Sequence, residues 1–282
     1  TEDWVTLTPV PSIIIPLDAW AGWNAVTKKL LPISTVYPGD TMHALVKSVV
    51  TYPADMFSTV TWHDGSPLSL GDFVYNMILP NDRSNPASPI YDQYDENISP
   101  VLGDEIIAVR ITSNNPLVIE TYTNRHAMDA EDLVYDWWPE GDWGPSPWHT
   151  TALAAVAEEN GSVAFSPSKA DNLTLPWTNY LYGPSIDSLV TYMGYIAPDG
   201  YIPYAPTMGD YITPTEAGIR WANLYAWYTA HGHFWVGSGP FFVDTFNWEA
   251  KTLTLTRFAD FPDPSDKWDA YQEGSVHVLA VD

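Results

Sequence analysis

Between Asp129 and Trp148 the chain sets acids among indoles, in the run Asp136-Trp137-Trp138-Pro139-Glu140-Gly141-Asp142-Trp143-Gly144-Pro145-Ser146-Pro147-Trp148. An indole offers a broad apolar face and one N–H donor, and a carboxylate receives an ammonium group. Trp137, Trp138, Trp143 and Trp148 with Asp142 are therefore candidate ligand contacts, with Asp136 and Glu140 beside them. The same residues make, equally well, a structural aromatic cluster with solvated acids on its rim. His231 and His233 lie two apart, with Asp244 or Asp210 as further ligand types. A metal site needs three or four convergent ligands, and a histidine at a helix end also suits the helix dipole, so no metal is expected. Asp260, Asp263 and Asp266 recur every three residues but lack the Asp-x-Asp-x-Asp-Gly pattern and distal Glu of a calcium loop. The chain has no cysteine, which excludes disulfides, thiolate nucleophiles and iron–sulfur ligation. Nor does it contain a G-x-S-x-G nucleophile turn. Its 35 acids can supply the two carboxylates, about 5–9.5 Å apart, that a glycosidase needs, but no pair is singled out by its setting.

The elements that must position these residues follow from pattern. Prolines at 9, 11, 16, 32 and 38 break the first forty residues into short pieces, with a helix expected from Asp18 to Leu30. Thr41–Val50 and Phe57–Trp62 contain short β-branched runs and read as strands. The second ends in His63-Asp64-Gly65-Ser66-Pro67, where Asp-Gly supplies a tight turn and Ser69 caps a helix through Asp72, Phe73, Val74, Met77 and Ile78. Asn81–Ser99 reads as a loop with a short helix. Ile106–Thr112 and Leu117–Tyr122 alternate about an Asn-Asn-Pro turn and form a hairpin. Helices are expected at Thr150–Glu159, Pro184–Ala197 and from Thr213 to His231, the last with a Thr cap, an N1 proline and a Gly232 stop. Gly237-Ser238-Gly239-Pro240 then breaks the chain ahead of a hairpin over Phe241–Phe246 and Lys251–Phe258.

Two of these segments belong together. Trp62-His63-Asp64-Gly65-Ser66-Pro67-Leu68-Ser69-Leu70-Gly71-Asp72-Phe73-Val74 precedes Gly237-Ser238-Gly239-Pro240-Phe241-Phe242, which is followed by Leu253-Thr254-Leu255-Thr256-Arg257-Phe258. The pair resembles the extracellular solute-binding proteins of ABC transporters, in the peptide/nickel-binding family that includes oligopeptide- and dipeptide-binding proteins. There, a strand reading roughly F-x-D-G-x-P-L-T-x-x-D-V precedes a helix, and a later G-T-G-P-Y opens a strand. Here Ser238 stands for the usual Thr, and Phe258-Ala259-Asp260-Phe261 replaces an Asn-Pro turn. The resemblance spans about residues 36 to 268 and makes Asp64, Gly65, Pro67, Asp72, Gly237, Gly239 and Pro240 its motif residues. It implies an α/β chain with mixed sheets flanked by helices, part of a bilobed type II periplasmic-binding-protein fold. One lobe would cover about 36–235, and 236–268 would be a strand pair returning toward the other. Family members are longer, and the chain opens at Thr1 without an initiator Met, so a piece of a longer parent is expected.

The implied activity is capture of a peptide or other small solute and its delivery to ABC permease subunits, outside the cytoplasmic membrane or in the periplasm, with tethering through the parent chain. No catalytic residue, cofactor or metal is implied. With 11 basic against 35 acidic residues, the net charge of −24 disfavours nucleic acids and anionic lipid. An acidic or saline habitat fits that charge equally. The apolar runs are too short to span a bilayer. The 14 Trp, 17 Tyr and 9 Phe leave a rival reading open, a carbohydrate-binding protein or glycoside-active enzyme stacking sugars on its Trp-rich loops. A purely structural docking domain is a third.

Overall fold

The computed structural model describes residues 8, 10, 12–95, 99–103, 106–129, 131–264, 266 and 267. Pro9 and Pro11, two of the expected chain breakers, and residue 268, the last of the expected returning segment, lie outside the described residues. In chain order the elements are β1 (Ile13–Ile14), β2 (Trp20–Asn24), β3 (Lys29–Pro32), α1 (Ile33–Val36), β4 (His43–Ala44), β5 (Val46–Thr51), α2 (Met56–Thr59), α3 (Leu70–Arg83), β6 (Ile106–Asn114) and β7 (Leu117–Thr123). They continue with β8 (Glu140–Gly141), β9 (Gly144–Pro145), α4 (Trp148–Glu159), α5 (Pro167–Leu173), α6 (Pro184–Ile196), α7 (Ala205–Met208), α8 (Pro214–His231), β10 (Phe241–Asn247) and β11 (Thr252–Arg257). No helix among the described residues is long and apolar enough to cross a membrane.

The chain is mixed α/β. One five-stranded sheet runs in the order β3-β2-β6-β7-β5, and every pairing between named strands is antiparallel, where mixed sheets were expected. One face of the sheet, with Trp23, Ile106, Val109, Leu117 and Ile119, packs in the main core with α3, α4, α6 and α8. The opposite face presents Ala21, Ala108 and Tyr122 to a small cluster closed by Ile15 and Ile33. The alternation read at Ile106–Thr112 and Leu117–Tyr122 thus serves both faces, and their hairpin forms in register Ile111↔Ile119.

Two local expectations are overturned. Residues 18–30 form the β2–β3 hairpin, not a helix. Ala19 and Ala21 are buried in the small cluster and Trp23 and Ala25 in the main core, alternate burial that changes face at the register shift between Trp20 and Gly22 and outweighs the Trp20/Trp23/Thr27 spacing. Asn24 Oδ1 closes the turn by accepting from the backbone N–H of Val26 at 3.1 Å and Thr27 at 2.9 Å. Asp18 caps nothing and meets Arg110 Nη2 on β6 at 2.9 Å. Likewise 57–62 holds no strand: α2 occupies its start, with Ser58 and Thr59 hydroxyls donating to the Asp55 carbonyl and Met56 buried. Short β-branched runs do not decide between strand and turn without a partner strand.

Candidate functional site

The Asp-Gly turn has the expected form. The backbone N–H of Gly65 donates to the Trp62 carbonyl at 2.9 Å, and that of Trp62 to the Ser66 carbonyl at 2.8 Å. Gly65 has φ +83°, where a side chain would be strained. The turn hands the chain to α3, whose first-turn Asp72 accepts from the backbone N–H of Ser69 at 2.8 Å, one half of a capping box.

Asp72 is also the hub of a buried polar network. Its carboxylate accepts from Arg220 Nη1 at 2.9 Å and Nη2 at 3.0 Å, from the Trp148 backbone N–H at 3.0 Å and from Trp62 Nε1 at 3.3 Å. Arg220 adds bonds to the Pro67 carbonyl and the Ser69 hydroxyl. Beside it, His149 Nε2 lies 2.8 Å from Asp64 Oδ2, and both side chains are fully buried. Burial alone would raise the Asp64 pKa; the imidazole of His149 and the bonds from Ser66 outweigh it and hold the carboxyl below its usual range. Every charge here has a partner, so the network ties the turn, α3, α4 and α8 into one unit.

The second motif docks onto the first through His63. The His63 backbone N–H donates to the Gly237 carbonyl at 2.9 Å, His63 Nδ1 accepts from the Gly237 N–H at 3.1 Å, and Nε2 lies 2.9 Å from the Gly239 carbonyl. These bonds require a neutral ring with its proton on Nε2. Burial lowers the His63 pKa in the same sense. A Cβ on Gly237 would stand 3.3 Å from His63 Cε1, so a side chain there would crowd the imidazole. His233 repeats the arrangement, accepting from the Trp235 N–H at 3.1 Å and reaching the Val243 carbonyl at 2.8 Å. Its pKa is lowered chiefly by burial. His231 Nδ1 meets Asp244 Oδ1 at 3.1 Å. The histidines thus fasten β10 to the body, and no group of three His, Asp or Glu among the described residues is placed to hold a metal.

Between α8, the His63–Asp64 turn and the β10–β11 ribbon lies an open groove of about 420 Å³. Trp227, Phe242 and Phe258 line it, with ring centroids 5.2 Å apart between Trp227 and Phe242, but Trp227 and Phe258 are themselves buried. Its rim comes from Asn223, His231, Thr256, Arg257 and Asp260. Asp64 borders it, but with its side chain buried against His149.

The indoles of the 136–148 run are scattered. Trp137 and Trp148 are 1% exposed and belong to the core; the Trp137 indole N–H donates to Thr121 Oγ1 at 2.9 Å. Trp138 is partly buried edge-on against Phe73. Asp142 pairs with Arg83 at 3.1 Å. Trp143 forms a surface group with Trp177, 5.5 Å between centroids, and Trp235, 6.2 Å. Asp263 pairs with Lys267 at 2.7 Å. Pro67 and Pro240 act through their carbonyls, the latter accepting from the Phe258 N–H at 2.8 Å. Sequence reasoning missed the groove. Its signals were the i, i+4 pair Trp227 and His231 on one helix and a cation on an alternating strand beside Phe258.

No family model matches the chain, and no curated protein matches it.

Proposed function

We propose that the chain is part of an extracellular solute receptor of an ABC importer, which captures peptide-like solutes and delivers them unaltered to a permease. The observation that supports it is the junction at His63. Two segments that resemble the solute-binding family, more than 170 residues apart in the chain, meet through three hydrogen bonds, as parts of one scaffold junction would. On this reading the fold is one lobe, about 36–235, of a type II periplasmic-binding-protein architecture. The β10–β11 pair within 236–268 leads toward a second lobe. The exposed Phe241, Leu253 and Leu255, each more than half accessible, are the side on which that lobe would close. The groove lies beside the crossing, where a solute held between lobes would sit. Catalysis has no support of the same kind, because the buried carboxylates are engaged in structure.

A second reading is favoured by one feature. Trp143, Trp177 and Trp235 form a tilted aromatic ledge, with Trp177 47% exposed, a surface suited to stacking a sugar ring.

Thermal denaturation against di- to pentapeptides, cello- and xylo-oligosaccharides and divalent metals separates the readings. A solute at 100 times its Kd adds about 2.7 kcal/mol of stability. A shift with peptides is expected; a shift with oligosaccharides alone selects the ledge and overturns the peptide reading.

A further inference from the structure

We infer that the ledge of Trp143, Trp177 and Trp235 holds a neutral hexopyranose whose hydroxymethyl arm enters a hollow beside the indoles and bonds Tyr180 and Thr150. The inference deepens the second reading above, on whose ledge it rests. It is independent of the peptide-receptor reading, since the hollow shares no lining residue with the groove beside α8.

Trp143 and Trp235 line a hollow of about 10 Å³ together with Gly141, Thr150, Tyr180 and Val236. Thr150 and Tyr180 are 1% and 4% exposed, and neither hydroxyl has a hydrogen-bond partner among the described residues. Such a group has given up its water and gained nothing in return, so a ligand that bonds it restores the loss. Ser48, Thr61, Tyr75 and Thr123 also carry buried hydroxyls without a partner. Thr150 and Tyr180 are the two that meet at one hollow, and indoles form part of its wall. Burial raises the Tyr180 pKa well above the usual phenol value, with Asp142 adding to it, so the hydroxyl keeps its proton to donate. The space is close to what one water needs. It therefore admits a single hydroxyl and excludes a ring.

The ring belongs on the ledge. Trp177 is 47% exposed and lies 5.5 Å from Trp143 between centroids, and Trp235 stands edge-on to Trp143 at 6.2 Å. The Trp177 N–H donates to the Phe165 carbonyl at 2.8 Å, which fixes that indole in place. A pyranose stacks its C–H face on an indole while its equatorial hydroxyls stay level with the ring. The hydroxymethyl arm is the one that turns out of the ring plane, and so the one that reaches Tyr180 and Thr150. A phenylalanine or proline ring stacks as well but brings no group to those hydroxyls. Asp142, next to Trp143 in the chain, and the net charge of −24 disfavour uronic acids and sulfated sugars, which leaves a neutral hexose.

The test is isothermal titration of cellotriose and xylotriose, which differ by the hydroxymethyl arms, into the wild-type chain and the variants Y180F, T150V and W177A. Cellotriose is expected to bind at least about fivefold more tightly than xylotriose. Y180F and T150V should each reduce that preference and leave xylotriose unchanged. Each removes a hydroxyl that has no partner, so the unliganded thermal midpoint should hold or rise. W177A should weaken both trioses by about fivefold and keep the preference. If the trioses bind alike, or the preference survives in both Y180F and T150V, the hydroxymethyl assignment falls while the ledge reading stands. If W177A binds both trioses as the wild type does, or no oligosaccharide binds at all, the ledge reading falls and the assignment with it, and the peptide-receptor reading is untouched.

Discussion

Asp72 and Arg220 are both fully buried, and the carboxylate takes both ends of the guanidinium fork. Removing either partner leaves the other as a buried charge, which costs about 3–5 kcal/mol. Arg220→Met and Asp72→Asn are therefore expected to lower the urea midpoint sharply, and the double variant to cost less than the two single losses added together. Trp137→Ala tests a different matter. A fully enclosed indole is expected to cost about 3–5 kcal/mol of stability on truncation, whereas an indole that only touched ligand would cost little; equilibrium unfolding distinguishes them. The sequence made Asp64 readable as a turn residue and Asp72 as part of the helix that Ser69 caps, because those roles are local. Their partners His149 and Arg220 were not readable, since they lie 85 and 148 residues away and no local rule names them. The indole-rich run was read by composition, which cannot tell Trp137, facing Thr121 in the core, from Trp143 at the surface.

At the scale of elements, the β10–β11 ribbon forms a two-stranded sheet of its own. Every residue of β11 is exposed, and an isolated two-stranded hairpin is marginal in water. Its attachment depends on His63 and His233, each accepting a backbone N–H through Nδ1, which protonation would abolish. Both folded-state pKa values lie below the ordinary histidine value, so the folded state binds fewer protons than the unfolded one. The contribution is whole above about pH 6.5 and is lost as pH falls through the lowered folded-state values. Of the groups facing these rings, Asp64 and Asp244 oppose the downward shift without reversing it, and His231 adds to it. Hydrogen exchange at about pH 7.5 and about pH 5, corrected for intrinsic rates, is expected to show loss of protection in β10 and β11 while α3 and α4 keep theirs. Equal protection at both values would contradict the account. The ribbon, α3, α6 and α8 were all readable, because caps, an N1 proline, a stop glycine and alternation agreed at each. Residues 18–30 were not, because Trp20, Trp23 and Thr27 fit a helical face while the buried alanines between them fit a strand.

For the whole molecule, a net charge of −24 makes the folded state repel itself at low ionic strength. Raising sodium chloride from about 10 mM to about 300 mM shortens the Debye length from about 30 Å to well under 10 Å, and the thermal midpoint is expected to rise with it; a fall would mean that ion pairs outweigh the repulsion. The same field favours solutes bearing an ammonium group and penalises anions. The most direct test of solute capture is native mass spectrometry of the chain after incubation with an equimolar mixture of short peptides and oligosaccharides. The predicted result is a one-to-one complex with a peptide that is recovered with its mass unchanged. Binding of oligosaccharide without peptide, or recovery of a cleaved solute, would contradict the receptor reading.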